Sequence, residues 1–350
     1  MVHFFILIIL LSLFFNKTYR HILIAQTSKS FYYFVYQYLC VFIFIEVYYK
    51  NMKTFIKLLL LSPMIFTSVG CKSKADPKPV DVVVISGQSN GVGCTYAKFI
   101  KDSVGHAKYQ EYMKGYEGIQ IAFDSWTKDE GPKFYSQNKS KDDTFTKVML
   151  GQGNSLVTFG PEIGISDKLH EKYEGKLFLI KFACGASNLK DDWARRNSPM
   201  YSRFVKYVQL QMENLKKMGY LPTIKAMCWM QGEGDSWDGY YQDYYDNTKL
   251  FVTSLREDLK SLAGDNDFPF IDAGISNSAE WKYYRQVNDA KKQFASESEN
   301  NIYIDTIAAG LHVSEEPHDK PDLCHYDSES QIQLGQLFAE QFEQFLDKVE

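Results

Sequence analysis

The chain has 350 residues and a formal net charge of −4, with 45% hydrophobic and 23% charged residues. This composition excludes a disordered, collagen-like or coiled-coil protein, and the isoelectric point near 6.0 argues against general nucleic-acid binding. The averages hide a break in composition, because residues 1–51 contain 15 aromatic residues and a single acidic residue, Glu46.

Residues 1–51 contain two apolar runs, 4–15 and 31–49. The first run is too short to span a bilayer, and the second has about the required length but carries Gln37 and Glu46. Of the 51 residues, 33 are of six kinds that codons of A and T alone can encode. We interpret this segment as a spurious or leader extension before a start at Met52, with a real membrane anchor as the alternative.

Residues 52–70 have the layout of a secretory signal peptide: a short basic region, an apolar core and a closing run of small residues. Cys71 follows these small residues directly, which resembles the lipobox of bacterial lipoproteins. The pattern predicts an exported protein, periplasmic or at the cell surface of a bacterium, that contacts the membrane only through a lipid on Cys71. The polar residues 71–80 are predicted to form a tether before a domain at 81–350.

Beyond residue 80, short apolar runs rich in β-branched residues alternate with helical patterns. Near-continuous apolar runs are typical of strands buried on both faces, as in a parallel sheet covered by helices. The runs that predict strands are 82–86, 119–123, 177–183, 224–230, 268–275 and 302–305. The patterns that predict helices are 164–173, 201–218, 240–262, 281–296 and 330–349. This alternation predicts an α/β fold, a three-layer α/β/α sandwich with a central, mainly parallel sheet. The polar stretch 101–150 is predicted to be mostly a surface insertion.

Four cysteines remain after the leader: Cys94, Cys184, Cys228 and Cys324. An exported protein folds in an oxidising setting, and four cysteines allow three pairings that the sequence does not distinguish. Cys184 and Cys228 lie in apolar runs and are expected to be buried free thiols. The cysteine spacing does not match a zinc site, and the seven histidines show no metal-binding pattern, so no metal and no cofactor is predicted.

Ser89 follows the first predicted strand, within Gly87-Gln88-Ser89-Asn90-Gly91. Loops that leave the carboxyl ends of parallel strands form the crevice of a doubly wound sheet, so Ser89 is a candidate nucleophile. A helix-capping turn is the alternative interpretation. The literal G-x-S-x-G also matches the nucleophile elbow of α/β-hydrolases, but that elbow normally follows several strands rather than the first.

Asp322 and His325 stand three residues apart, just before the last predicted helix. This spacing lets a carboxylate orient one ring nitrogen of the imidazole while the other serves as a general base for a serine. A solvated loop pair is the alternative, and His312 and His318 are nearby competitors for the role of base.

Two further strand ends offer hydrogen-bond donors for an oxyanion. Gly185 offers a backbone amide, and Gln231 offers a side-chain amide. Glu233 and Asp235 follow Gln231 closely. They are interpreted as loop acids or helix-start charges. Glycoside hydrolysis requires two opposing carboxylates, and these two acids form a single local cluster.

Five short motifs follow one another along this domain. They are Gly-Gln-Ser-Asn at 87–90, Phe-Gly-Pro-Glu at 159–162, Gly-Ala-Ser at 185–187, Trp-Met-Gln-Gly-Glu-Gly-Asp at 229–235 and Asp-Leu-Cys-His at 322–325. Their order resembles carbohydrate esterases of the sialic-acid-specific acetylesterase type, in the SGNH hydrolase superfamily. The resemblance extends from about residue 82 to 335 and implies an SGNH-type, flavodoxin-like sheet.

Carried over residue by residue, the resemblance implies that Ser89 is the nucleophile, His325 the base and Asp322 its orienting acid. It implies that the amides of Ser89 and Gly185 and the side chain of Gln231 form the oxyanion hole. Asn90 and Glu233 are the supporting residues. Gln231 stands where the wider superfamily has Asn, but Gln is the usual residue in this branch. Gly91 stands where many relatives carry a larger apolar residue, which puts the pocket shape in doubt but not the chemistry.

The implied function is removal of O-acetyl groups from carbohydrate, either an acetylated xylan-like glycan or O-acetylated sialic acid, through an acetyl-enzyme. An SGNH lipase-like or thioesterase-like hydrolase is one alternative, and a non-catalytic surface glycan-binding lipoprotein is another. Aromatic residues are candidates for stacking on sugar rings, although each could instead belong to the core. These residues are Trp193, Trp237, Trp281 and Tyr283.

Overall fold

The computed structural model describes residues 76–129, 131–141, 144–237, 239–264 and 267–349. The predictions for residues 1–51, for the signal peptide 52–70 and for Cys71 lie outside these residues. The first strand begins at Lys78, so the last three residues of the predicted tether 71–80 belong to the domain instead. They do so because Lys78 and Val80 pair with strand residues Tyr220 and Pro222.

The domain is built on one mostly parallel sheet. Its strands are β1 (Lys78–Gly87), β3 (Tyr116–Lys128), β4 (Phe134–Lys139), β5 (Thr146–Val148), β7 (Leu177–Gly185), β8 (Tyr220–Met230), β9 (Phe270–Ala273) and β10 (Asn301–Ile304). Their order across the sheet is β10-β9-β8-β1-β7-β3-β4, with β5 also paired to β3. All pairs are parallel except β3 with β4 and β3 with β5. Two short strands, β2 (Thr95–Tyr96) and β6 (Thr158–Phe159), form a separate antiparallel ribbon.

Helices flank this sheet in two groups. The helices are α1 (Ser89–Val92), α2 (Ala97–Lys114), α3 (Glu162–Leu169), α4 (Pro199–Lys217), α5 (Glu233–Trp237), α6 (Tyr244–Leu259), α7 (Tyr284–Ala295) and α8 (Ser328–Val349). A π-helical turn spans Leu189–Trp193, and 3-10 turns span Tyr240–Asp243 and Lys260–Leu262. Helix α8 contacts α2 and α3, whereas α6 contacts α4 and α7. The α/β sandwich with a central, mainly parallel sheet is thereby confirmed.

The predicted strands form because their apolar runs are buried on both faces. Every residue of β7 is buried, and the inner part of β1 from Val82 to Gly87 is buried as well. Two amphipathic helices, α4 and α8, lay their apolar faces on the core through residues such as Phe204 and Phe338. Within the described residues, no helix combines the length and apolar character that crossing a bilayer requires.

Residues 101–150 correct the prediction of a surface insertion. They supply most of α2 and the whole of β3, β4 and β5, and β3 lies beside β7 in the main sheet. The buried residues Ile119, Ile121 and Phe123 hold β3 in the core. The predicted strand at 119–123 is part of β3 and is confirmed. The polar character of the surrounding residues misled, because they include the rest of α2 and the polar edge strand β4.

The chain changes direction across the sheet at β1. From β1 the chain fills the β7-β3 side first and then the β8-β9-β10 side, so β1 lies at the topological switch point. Gly87 at the end of β1 pairs with Ala183 on one side and Met230 on the other. Since parallel strands end at one edge, the loops after β1, β7 and β8 leave side by side, where open α/β sheets form their ligand crevice.

All four cysteines of the described region are free thiols, so none of the three possible pairings is made in this structure. Cys184 and Cys228 are buried, as predicted, and burial raises the pKa of both thiols. Buried thiols of this kind behave as small apolar side chains that fill the core.

Candidate active site

Ser89 begins α1 directly after the central strand and is half-buried. The turn that presents it requires Gly87, whose φ is +136° and where a Cβ atom would lie 1.9 Å from the carbonyl oxygen of Met230. The amide of Gln88 donates to that same carbonyl oxygen at 2.8 Å. The backbone of β8 therefore fixes the point at which Ser89 leaves the sheet.

Gly91 does not shape the pocket. A Cβ atom on Gly91 would lie 3.0 Å from the carbonyl oxygen of Ser86 and 3.3 Å from that of Met230. The residue is buried and its missing side chain would point into backbone, not into the crevice. A larger residue at position 91 would therefore press on the backbone against which α1 packs.

Asn90 connects the serine segment with the histidine segment. Its side-chain Oδ1 accepts from the amide of Tyr326 at 3.0 Å, and its Nδ2 lies 3.5 Å from the carbonyl oxygen of Cys324. These two backbone groups flank His325 on either side. Nδ2 also donates to Glu233 Oε1 at 2.7 Å. The buried side-chain amide of Asn90, the residue after Ser89, therefore holds the loop that carries His325 in place.

Asp322 and His325 form a close pair, with Asp322 Oδ2 lying 2.6 Å from His325 Nδ1. Burial would raise the pKa of Asp322, but the hydrogen bond to His325 outweighs it and lowers that pKa. Burial would likewise lower the pKa of His325, but the Asp322 carboxylate and the neighbouring Cys94 outweigh it and raise the pKa to about 10. The carboxylate therefore holds the ring and stabilises its protonated form, which is what an acid that orients a general base does.

The competing histidines have other surroundings. His312 Nδ1 lies 2.6 Å from Asp327 Oδ2, and the buried Asp327 also accepts from the amides of Glu315 and Glu316. This second pair joins the beginning of the long loop before α8 to its end. His318 is exposed on that loop.

Gly185 lies beside Ser89 at the end of β7. A Cβ atom built on Gly185 would be 3.9 Å from Ser89 Cβ. The next residue, Ala186, is exposed and has φ +57°, a strained conformation for a residue with a side chain. Ser187 secures this turn, because its hydroxyl donates to the Cys184 carbonyl oxygen at 2.6 Å and accepts from Trp193 Nε1 at 2.8 Å. The strained turn therefore places the Gly185 backbone at the edge of the crevice.

Gln231 is fully buried, and its amide is engaged by neighbouring side chains. Nε2 donates to Asp235 Oδ2 at 2.6 Å and lies 3.2 Å from Gln88 Oε1, while Oε1 accepts from the Tyr244 hydroxyl at 3.0 Å. In this arrangement Nε2 can serve an oxyanion only if one of these hydrogen bonds is given up. Its role as third oxyanion donor stays a prediction, and its observed role is to brace the loop.

We expect Gln231→Ala to reduce stability and turnover together. The change leaves Asp235 and Gln88 with one donor fewer in a buried site, which costs about 1–3 kcal/mol of unfolding free energy. Denaturant unfolding and initial rates of ester hydrolysis on the same preparation measure both effects. A variant with unchanged unfolding and a rate loss of about 100-fold or more would instead favour direct contact with the oxyanion.

Glu233 is fully buried and bonds Asn90 rather than His325. Burial raises its pKa, although the hydrogen bond from Asn90 and the charges of Lys291 and His325 partly oppose this. Its hydrogen bond with Asn90 joins the start of α5 to the residue after Ser89. Within the described ranges, no group of three or more His, Cys, Asp and Glu side chains is arranged to hold a metal ion.

A buried ion pair below α1 was missed by the sequence analysis. Lys181 Nζ donates to Glu162 Oε2 at 2.7 Å, to the carbonyl oxygen of Val92 at 3.0 Å and to that of Gln152 at 2.6 Å. Burial lowers the pKa of Lys181. The pair joins the end of α1 to the Phe-Gly-Pro-Glu motif. The available signal was a lysine in the middle of an apolar strand, since lysine is seldom fully buried unless paired.

Comparisons with known proteins establish the family and agree with the fold. Residues 79–344 match the family model described as carbohydrate esterase, sialic acid-specific acetylesterase. The probable carbohydrate esterase At4g34215 of Arabidopsis thaliana is 28% identical over 187 residues, which are 52% of this chain. The match spans 63% of that protein's length, less than two thirds of it.

Two solved structures are similar in fold. The X-ray structure of the Arabidopsis thaliana protein AT4G34215 has a TM-score of 0.51 at 20% identity and covers 76% of this chain and 98% of its own. The crystal structure of NanS has a TM-score of 0.56 at 16% identity and covers 78% of this chain and 99% of its own. At such identities these two likenesses establish the fold alone.

Proposed function

Because the chain belongs to the family of carbohydrate esterases of the sialic acid-specific acetylesterase type, whose members are carboxylic ester hydrolases, we propose that it removes O-acetyl groups from carbohydrate. Its substrate is an acetylated xylan-like glycan or O-acetylated sialic acid, and the reaction passes through an acetyl-enzyme. Ser89 is the nucleophile, His325 the general base and Asp322 the acid that orients His325.

The reaction proceeds in two halves. Ser89 Oγ attacks the acetyl carbonyl carbon while His325 takes the hydroxyl proton, and the amides of Ser89 and Gly185 hold the resulting oxyanion. The tetrahedral intermediate then expels the sugar oxygen, which receives its proton from His325. Water, deprotonated by His325, attacks the acetyl-enzyme and releases acetate, and the proton returns to Ser89.

The observation that carries this proposal is the double contact of Asn90 with the backbone on both sides of His325. It joins residues at opposite ends of the domain and ties the loop that carries the Asp322–His325 pair to the residue after Ser89. A short serine motif alone occurs by chance. A serine whose neighbour is hydrogen-bonded to the backbone on both sides of an oriented imidazole supports a nucleophile and its general base.

Rates of hydrolysis on a set of esters that differ in acyl chain length test the proposal. The purified protein is expected to release acetate from acetylated xylan or from O-acetylated sialic acid faster than it hydrolyses esters of longer acyl chains. A preference for long-chain esters or thioesters would favour a lipase-like or thioesterase-like hydrolase. Absence of hydrolysis on every ester would contradict the proposal and favour a glycan-binding protein.

We further propose that the protein is exported and anchored by a lipid on Cys71. The support is the signal-peptide layout of residues 52–70 and the start of the family match at residue 79, which leaves a short polar tether before the domain. Intact-mass analysis of membrane-released protein is expected to find no residue before Cys71 and a lipid on that cysteine. Peptides from residues 32–49 in the mature protein would contradict this.

A further inference from the structure

The aromatic residues named as candidates for sugar stacking differ sharply in exposure. Trp193 is fully buried among core aromatic rings, and Trp281 is buried with a small exposed fraction of 9%. Trp237 is 63% exposed at the end of α5. A single exposed apolar residue is ordinary on a protein surface, so its support and its position decide whether it has a function.

Trp237 is supported by a second indole and by a hydrogen-bonded segment next to it. The ring of Trp281 packs against it edge to face, with ring centroids 6.4 Å apart and an interplanar angle of 74°. The amide of Tyr283 donates to the Ser236 hydroxyl at 2.9 Å, and the rings of Tyr283 and Tyr241 stack at 4.0 Å. An indole that already packs on a neighbouring ring loses less conformational entropy when a ligand covers it than a free side chain does.

Trp237 lies about one helical turn from Glu233, a residue of the candidate active site. Helix α5 begins at Glu233, whose carboxyl accepts from Asn90 next to Ser89. Trp237 lies four residues further, about 6 Å along the helix axis. On the other side, burial and then the carboxylates of Asp322 and Glu280 raise the pKa of the Cys324 thiol to about 11. Glu280 therefore lies close enough to Cys324, the residue before His325, for its charge to act on that thiol, and Glu280 directly precedes Trp281.

We propose, on the basis of the proposed function, that Trp237 binds a sugar ring adjacent to the acetylated one. The exposed face of the indole stacks on the apolar face of a neutral pyranose, as rigid amphipathic aromatic rings do at interfaces. The substrate is then a chain of sugars rather than a free acetylated monosaccharide. Trp237 determines substrate length and takes no part in the chemical step.

Kinetics on matched substrates test this. Trp237→Ala, Trp237→Phe and Leu221→Ala are compared with the wild type on acetylated xylo-oligosaccharides and on 4-nitrophenyl acetate, which has no sugar. Leu221 is 54% exposed at the opposite end of β8 and serves as the matched control for loss of exposed apolar surface.

Trp237→Ala is expected to raise KM for the oligosaccharide roughly tenfold, the change that corresponds to uncovering one indole face. Its kcat for the oligosaccharide and its rate on 4-nitrophenyl acetate are expected to stay near the wild-type values. Trp237→Phe should restore most of the affinity, and Leu221→Ala should behave like the wild type. An unchanged KM, or equal losses on both substrates, would overturn the proposal.

A binding measurement separates this inference from the proposed function. If the wild type hydrolyses no ester at all, the proposed function fails, and calorimetric titration with deacetylated xylo-oligosaccharide decides the role of Trp237. Weaker binding by Trp237→Ala than by the wild type would support the sugar site. Equal affinity, or no binding by either protein, would overturn it.

Discussion

Ser89→Ala is expected to lower acetate release by at least about 10⁴-fold, because without the hydroxyl no acetyl-enzyme can form. Binding of the carbohydrate and the unfolding midpoint should change little, since the half-buried hydroxyl is lost without opening a core cavity. Initial rates, circular dichroism and thermal unfolding of the same preparations measure these quantities. In the wild type, mass spectrometry of acid-quenched enzyme should find acetyl on the peptide that contains Ser89.

Ser202→Ala is the matched control for this variant. Ser202 is also half-buried and also helical, and its hydroxyl bonds the carbonyl oxygen of Arg196 away from the crevice. It is expected to retain the wild-type rate. If Ser89→Ala kept activity within about tenfold, a barrier change of only about 1.4 kcal/mol, the nucleophile would be another residue.

Asp322→Asn is expected to lower kcat by about 10³- to 10⁴-fold, because the amide no longer fixes the reactive tautomer or stabilises the imidazolium. It should also move the pH dependence. An ordinary histidine titrates near pH 6.5, and in the wild type the pKa of His325 is raised to about 10. A base must be unprotonated, so wild-type activity rises with pH through this raised pKa.

The sign of the shift in the variant follows from the charge. Removing the Asp322 carboxylate destabilises the protonated ring, so the pKa of His325 falls and the acid limb of the profile moves to lower pH. Cys94→Ala removes the second group that raises this pKa and should move the limb in the same direction without the large loss of kcat. Rates across a pH series, with spontaneous hydrolysis subtracted, measure both shifts.

Glu233→Gln is the comparison for the acid. Its amide oxygen can still accept the hydrogen bond that Asn90 donates to Glu233 Oε1, so we expect a far smaller loss of kcat than in Asp322→Asn. Normal turnover in Asp322→Asn together with a large loss in Glu233→Gln would reassign the orienting acid to Glu233.

Local patterns in the sequence were sufficient to predict the sheet. The apolar runs at 82–86, 177–183 and 224–230 coincide with parts of β1, β7 and β8, because a strand buried on both faces must be apolar along its whole length. At 101–150 the apolar run 119–123 predicted part of β3, but the polar residues around it led to the wrong prediction of a surface insertion. The pairing of His312 with Asp327 was likewise not predicted, because the two residues are 15 positions apart and no local pattern joins them.

What the sequence alone determined is the α/β fold, the family resemblance and the identity of the candidate residues, since periodicity and short motifs are local properties of the chain. The tertiary structure decided their relations. Asn90 contacts Glu233 and Tyr326 across 143 and 236 residues of chain, and the Gln231 amide bonds Asp235 and Gln88 instead of lying open. Such contacts depend on strand order at the switch point and on the need of buried polar groups for partners, and no local pattern contains either.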